Sequence, residues 1–109
     1  MLNTSSHPRR IFAYAKPTDM RKSFHGLLVL VQQVFGEHDP YSGSLFLFVN
    51  RKSNYVKILS WDRTGFVLFA KKLERGRFSI PGDADRQELS DKALRFILDG
   101  IALGGRRTL

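Results

Sequence analysis

The chain has 109 residues, with 18 Lys and Arg against 10 Asp and Glu, a formal charge of +8 and an isoelectric point near 10.3. This length implies one domain with a modest core, and a hydrophobic content of 42% excludes a disordered chain. The absence of cysteine excludes disulfides and thiolate metal sites, no apolar run approaches the ~20 residues that span a bilayer, and the excess of cations favours an anionic partner, nucleic acid before an anionic membrane.

Residues 1–8 are polar, end in proline and are expected to form a flexible tail. They lack the apolar stretch of a signal peptide, so a cytoplasmic, nucleoid-associated location is expected. Residues 9–15 read as a short strand, with Ile11 and Ala13 on one side and Phe12 and Tyr14 on the other; Pro17 ends it.

Residues 20–35 carry the clearest helical pattern. Met20, Phe24, Leu27, Leu28, Val31, Val34 and Phe35 fall at steps of three and four. Thr18 or Asp19 is expected to cap its first turn. Gly36 suits the left-handed position beyond its end. Arg21 and Lys22 lie in that first turn, where the helix dipole disfavours cations. They are either solvated charges or face an external anion.

Residues 37–43, EHDPYSG, predict a turn. Residues 45–49, LFLFV, are apolar on both faces, as in a central strand. A polar connection, residues 50–54, leads to strands over 55–61 and 66–72. Asp62, Arg63, Thr64 and Gly65 between them predict a hairpin, with Asp opening a type I turn. Its register pairs Trp61 with Phe66, Leu59 with Leu68, Lys57 with Ala70 and Tyr55 with Lys72. The other face pairs Ser60 with Val67, Ile58 with Phe69 and Val56 with Lys71.

Residues 73–78 turn at Gly76 and are expected to return as a short strand through Ile80. Residues 83–88 read as an acidic loop. A last helix follows, with Ser90 as its cap, Leu89 stapling onto Leu94, and Leu94, Ile97, Leu98 and Ile101 at helical spacing; Gly100 stops it. Residues 102–109 form a basic, Gly-rich flexible end.

The expected architecture is therefore α+β: a single domain over residues 9–101, with an antiparallel sheet of three to five strands and two helices in the order β-α-β-β-β-(β)-α. Both helices are expected on one face of that sheet. The other face, left apolar and bare, would serve a homodimer or another protein contact.

Residues 50–78 concentrate the charge. They hold eight of the 18 cations and two of the ten acids. Lysine and arginine neutralise phosphates whatever the base sequence, and an exposed Tyr55 or Trp61 offers a ring on which a base can stack. The alternative is that both rings belong to the core while the cations guard the sheet edges.

Other chemistry finds less support. Asp39, Asp62 and Glu74 lie near strand ends, but a nuclease-like metal site needs such acids to converge, and each has a turn position or flanking cations of its own. His7, His25 and His38 lack metal-ligand spacing, and His25 is expected to be a partly buried spacer on the first helix. No nucleophile–base pair, P-loop or dinucleotide fingerprint is present. Arg106 and Arg107 offer an electrostatic arm.

Several stretches resemble one family in order and spacing. Residues 18–27, TDMRKSFHGL, are similar to its TDMRKGFDGL signature. Residues 39–48 are similar to its DP.SG.LFVF pattern, residues 50–52 to NRR, residues 57–62 to IKVLWWD, residues 71–78 to KRLERGRF and residues 98–101 to LLEGI. The family is TnpB, the second-open-reading-frame product of bacterial insertion sequences of the insertion-sequence-66 type, unrelated to the RNA-guided nucleases that share the name. The resemblance covers about residues 10–101. It departs at Ser23, where glycine is usual, and at His25, where aspartate is usual, which argues against a carboxylate site there.

The resemblance implies a non-enzymatic, cofactor-free accessory protein for transposition, with strand cutting left to a separate DDE transposase. The implied partners are DNA at the element ends, the transposase and other element-encoded proteins. Candidate DNA-binding residues that match family motifs and carry charge are Arg21, Lys22, Arg51, Lys52, Lys57, Lys71, Lys72, Arg75 and Arg77; Tyr55 joins them for stacking. A protein–protein adaptor docking on the transposase without DNA contact is the alternative, and a small metal-dependent nuclease a remote one.

Overall fold

The structure is a computed structural model that describes residues 9–100. The expected tails, residues 1–8 and 102–109, and Ile101 lie outside the described residues. The elements run β1 (Ile11–Pro17), α1 (Phe24–Val34), β2 (Leu45–Val49), β3 (Tyr55–Asp62), β4 (Gly65–Lys72), β5 (Arg86–Leu89) and α2 (Asp91–Leu98). They build one five-stranded sheet in the order β4-β3-β2-β1-β5.

The α+β class and the element order stand, but the sheet is mixed rather than antiparallel. β1 pairs with β2 in parallel, Ile11 opposite Leu45 and Ala13 opposite Leu47. A parallel pair needs a long return path, and here α1 provides it. The other neighbours pair antiparallel.

The two helices lie on opposite faces, not on one. Alternation along the strands sorts the side chains into two cores. Phe12, Phe46, Phe48 and Leu59 meet Leu27, Val31 and Phe35 of the α1 segment. Ile11, Ala13, Leu45, Leu47, Val49, Val56 and Ile58 meet Leu94 and Ile97 of α2, with Phe78 added from the loop after β4. One core is aromatic, with Phe12 and Phe46 stacked at 5.6 Å and Phe35 5.5 Å from Phe46; the other is aliphatic. All five residues of β2 are buried, as a central strand requires. Neither face of the sheet lacks a helix, which removes the expected bare surface.

The helix α1 starts at Phe24, one turn later than its periodicity suggests. Asp19 is the reason. Its carboxylate accepts from the Arg21 N–H at 2.9 Å and its carbonyl from the Lys22 N–H at 3.1 Å, so residues 19–22 close a tight turn of their own. Ser23 takes the N-cap position without a side-chain bond. Gly36 does not adopt the left-handed conformation; a Cβ there would stand 2.9 Å from the Gln32 carbonyl oxygen, so glycine serves close approach to the helix end.

The hairpin register is the expected one at every pair from Tyr55–Lys72 to Trp61–Phe66. Its turn is not type I. Asp62 pairs with Gly65, and Arg63 in the two-residue loop takes φ +52.

The strand expected within residues 73–80 does not form. That segment is held as a loop by two bonds, the Leu73 N–H to the Asn54 carbonyl at 2.8 Å and the Phe78 N–H to the Ser53 carbonyl at 2.6 Å. The extra strand is instead β5, inside the expected acidic loop, antiparallel to β1. Its composition gives little strand signal; the ladder to β1 and the buried Leu89 hold it, and long-range ion pairs flank it. Arg10 grips Glu88 through two bonds of 2.9 and 2.8 Å, and Arg86 bonds Glu37. Both carboxyls are held below their ordinary range, first by these side-chain hydrogen bonds.

The start and stop of α2 follow expectation within the described residues. The Ser90 hydroxyl accepts from the Ala93 N–H at 3.0 Å, and Gly100 takes φ +73 beyond the last turn of α2. Replacing Ser90 with Ala removes this cap. The unfolding midpoint in urea is expected to fall by an amount worth about 1 kcal/mol, with an unchanged denaturant slope.

Candidate nucleic-acid interface

The hairpin alternation divides the candidate cations between the two faces. Tyr55, Lys57 and Lys72 stand on the α1 side, as Leu59 does, whereas Lys71 pairs with Val56 on the α2 side. Adjacent lysines that look equivalent in sequence therefore have different surroundings. Lys71 donates from Nζ to the Leu98 carbonyl at 2.7 Å and so occupies the C-terminal end of α2, where a cation is favourable. Lys72 is exposed, with its Nζ 5.8 Å from the centre of the Tyr55 ring.

Lys57 is only 9% exposed. Its Nζ donates to the Lys22 carbonyl at 2.7 Å and lies 5.9 Å from the Tyr55 ring. The carbonyl and the ring face hold the ammonium, and among the described residues no carboxylate pairs with it, so its charge adds to the potential at this corner of the sheet. The same bond ties the start of α1 to β3.

Arg51 and Lys52 are exposed on the β2–β3 connection. Asn50 and Asn54 make that connection rigid. The Asn50 side-chain oxygen accepts from the N–H groups of Asn54 and Tyr55 at 3.0 and 3.1 Å. Its amide donates to the Asn54 side chain at 2.7 Å. Ser53 is held at φ +57 between them. In the sequence these two asparagines read only as part of a polar connection; an Asn at each end of a tight five-residue link is the signal for this turn.

Arg51, Lys52 and Lys72 line an open cleft of about 410 Å³ between this connection and residues 18–20. Asp19 is the acid in its wall. The Arg21 guanidinium grips Asp19 at 2.7–3.1 Å while its own side chain stays 91% exposed. These bonds, with the Arg21 backbone N–H, push the Asp19 carboxyl down to about 2.

The remaining candidates separate. Lys22, Arg75 and Arg77 are exposed, and among the described residues none of the three enters an ion pair. Trp61 sits at the other end of the hairpin, 5.1 Å from the Tyr41 ring and 5.0 Å from that of Phe66. His25 is exposed rather than partly buried. His38, missed as a structural residue, lies over the Phe12 ring at 4.1 Å. Asp39, Asp62 and Glu74 are not brought together: among the described residues no three His, Asp or Glu side chains gather to hold a metal ion. No helix of the described residues is long and apolar enough to cross a membrane.

A family model described as IS66 Orf2-like protein matches residues 9–108. Two proteins of Sinorhizobium fredii are similar to the chain. The uncharacterized protein y4hO is 36% identical over 93 residues, which cover 84% of this chain and 80% of the relative. The uncharacterized protein y4jC is 35% identical over 72 residues, 66% of this chain and 61% of that relative, so the chain spans about three fifths of it. No solved structure matches.

Two measurements check the site's geometry. Replacing Lys71 with Ala is expected to lower stability by about 0.3–1 kcal/mol through the lost helix-end contact, while Lys72→Ala leaves the urea midpoint in place. An NMR titration should place the Asp19 midpoint near 2, against an ordinary 3.8. Because the folded value is the lower one, the pair's contribution is complete above the ordinary value and lost as pH falls through 2. Arg21→Ala should return the midpoint upward.

Proposed function

The chain belongs to the IS66 Orf2-like family of transposition accessory proteins, and on that premise we propose that it assists a separate DDE transposase by binding DNA of the element ends through backbone phosphates. Strand cutting belongs to the transposase, and this chain supplies no catalytic group. The observation that carries the reading is the cleft lined by Arg51, Lys52 and Lys72, where Lys72 shares the Tyr55 ring with the buried Lys57 and the neighbouring Asp19 is already paired with Arg21. Cations from separate segments gather there, and Asp19, the acid in the cleft wall, is paired with Arg21. Such a surface attracts a polyanion and releases its counterions. Lys22, Arg75 and Arg77 extend the charge, and Lys71 acts in holding α2 rather than in contact.

A second reading has its own observation. Tyr41 is 50% exposed and packs with Trp61 and Phe66 at the hairpin's turn end. Such a patch suits a protein contact, here an adaptor that docks on the transposase.

Fluorescence anisotropy with an element-end duplex at several salt concentrations separates the two. On the DNA reading, affinity falls linearly with salt on a logarithmic scale. Arg51→Gln combined with Lys72→Gln weakens binding to all duplexes and flattens the slope by about one for each cation removed. Arg95→Gln, the loss of an exposed cation on α2, serves as the control and changes nothing. No duplex binding at low salt, with transposase capture that Tyr41→Ala abolishes, would establish the adaptor instead.

A further inference from the structure

The cleft between residues 18–20 and the β2–β3 connection has features that a merely basic surface does not need. Thr18 forms part of its wall and is 6% exposed, yet its hydroxyl has no hydrogen-bond partner among the described residues. Buried hydroxyls are ordinarily satisfied, and leaving one unpaired is costly. Its backbone is fixed, because the Thr18 N–H donates to the Val49 carbonyl at 2.8 Å. The facing connection is equally fixed, through Asn50 and through the bonds that Ser53 and Asn54 accept from Phe78 and Leu73.

Three cations therefore project from a frame that is already ordered. Arg51 and Lys52 come from the connection, and Lys72 from the end of β4. The volume, about 410 Å³, falls in the range of roughly 300–1,000 Å³ typical of small-ligand clefts. Among themselves these cations repel. One tetrahedral anion offers all three an acceptor, and a guanidinium fork with two ammonium groups suits phosphate oxygens. Lys72 is placed at the cleft by the Tyr55 ring, whose centre lies 5.8 Å from its Nζ.

From this arrangement we infer that the cleft is a seat for one phosphodiester group of a nucleic-acid backbone, bound by Arg51, Lys52 and Lys72 with the Thr18 hydroxyl as a neutral donor. This rests on the DNA reading above and gives it a fixed point. The seat sets the register of the strand on the protein, while Lys22, Arg75 and Arg77 contribute charge only. The backbone that carries these side chains is ordered before binding, so that part of the entropic cost is already met.

The test is an amide NMR titration of the full chain with the dinucleotide d(TpT), which carries one diester, and in parallel with inorganic phosphate. Wild type, Thr18→Val and Lys72→Gln are compared, and duplex anisotropy is run on the same samples. The expected result is shifts at Thr18, Arg51, Asn54 and Lys72 with d(TpT), and an affinity lowered roughly three- to tenfold in each variant. Thr18→Val separates binding from folding, because it removes an unpaired hydroxyl and should leave the thermal midpoint unchanged or raised.

Shifts that fall elsewhere, or d(TpT) affinity unchanged in both variants, overturn the seat even where the duplex still binds. Tighter binding of inorganic phosphate than of d(TpT) at the same amides overturns the nucleic-acid source and leaves a free-anion site. Cleft shifts with d(TpT) in a protein that binds no duplex support the seat and sink the duplex reading alone.

Discussion

β2 is buried along its whole length and on both faces, and the rest of the molecule is arranged around that constraint. A strand with no solvent-facing side needs a hydrogen-bonded neighbour on each edge and a cover on each face. β1 and β3 supply the edges. α1 and α2 supply the covers, and Phe46 and Phe48 point to one while Leu45, Leu47 and Val49 point to the other. The parallel pairing of β1 with β2 follows, since the helix that covers one face is also the path by which the chain returns.

The electrostatic layout is a consequence of the same alternation. Each strand residue is assigned a face by its parity, so two neighbouring lysines serve different ends. Lys71 completes the end of α2, and Lys72 stays with Tyr55 and Lys57 on the α1 side. Because α1 begins late, the carbonyl of Lys22 is free to accept the Lys57 ammonium. Asp19 causes that late start and is itself quenched by Arg21. One local turn therefore pairs the carboxylate of the cleft wall with a cation and leaves the Lys22 carbonyl to hold the buried Lys57 ammonium.

Two other paired acids are spent at the far edge of the sheet. Glu37 and Glu88 fasten β5 to the body of the fold through Arg86 and Arg10. The pocket these pairs border, about 250 Å³ and lined also by Phe12, Phe35 and His38, carries balanced charge and is occupied with holding the edge strand. The basic corner and the paired corner are thus distinct surfaces: one neutral through internal pairing, the other left positive.

Local chemistry made much of the fold legible. The period-two pattern and the turn residues determined the hairpin and its pairing from Tyr55–Lys72 to Trp61–Phe66, because registers displaced by one residue would turn the apolar set outward. Ser90 and Gly100 fixed the ends of α2 for reasons that act within one turn. The motif spacing identified the family, and the charge count pointed to an anionic partner. Tertiary structure alone decided what depends on distant residues. Among these are β5, whose four residues have no strand signal apart from the partners of Arg10 and Arg86, and the parallel pairing, which depends on where α1 packs. The same holds for the division of labour between Lys71 and Lys72, and for the cleft that brings Thr18 to Arg51. In each case the deciding energy comes from groups far apart in the chain, and a sequence pattern records only what a residue does with its near neighbours.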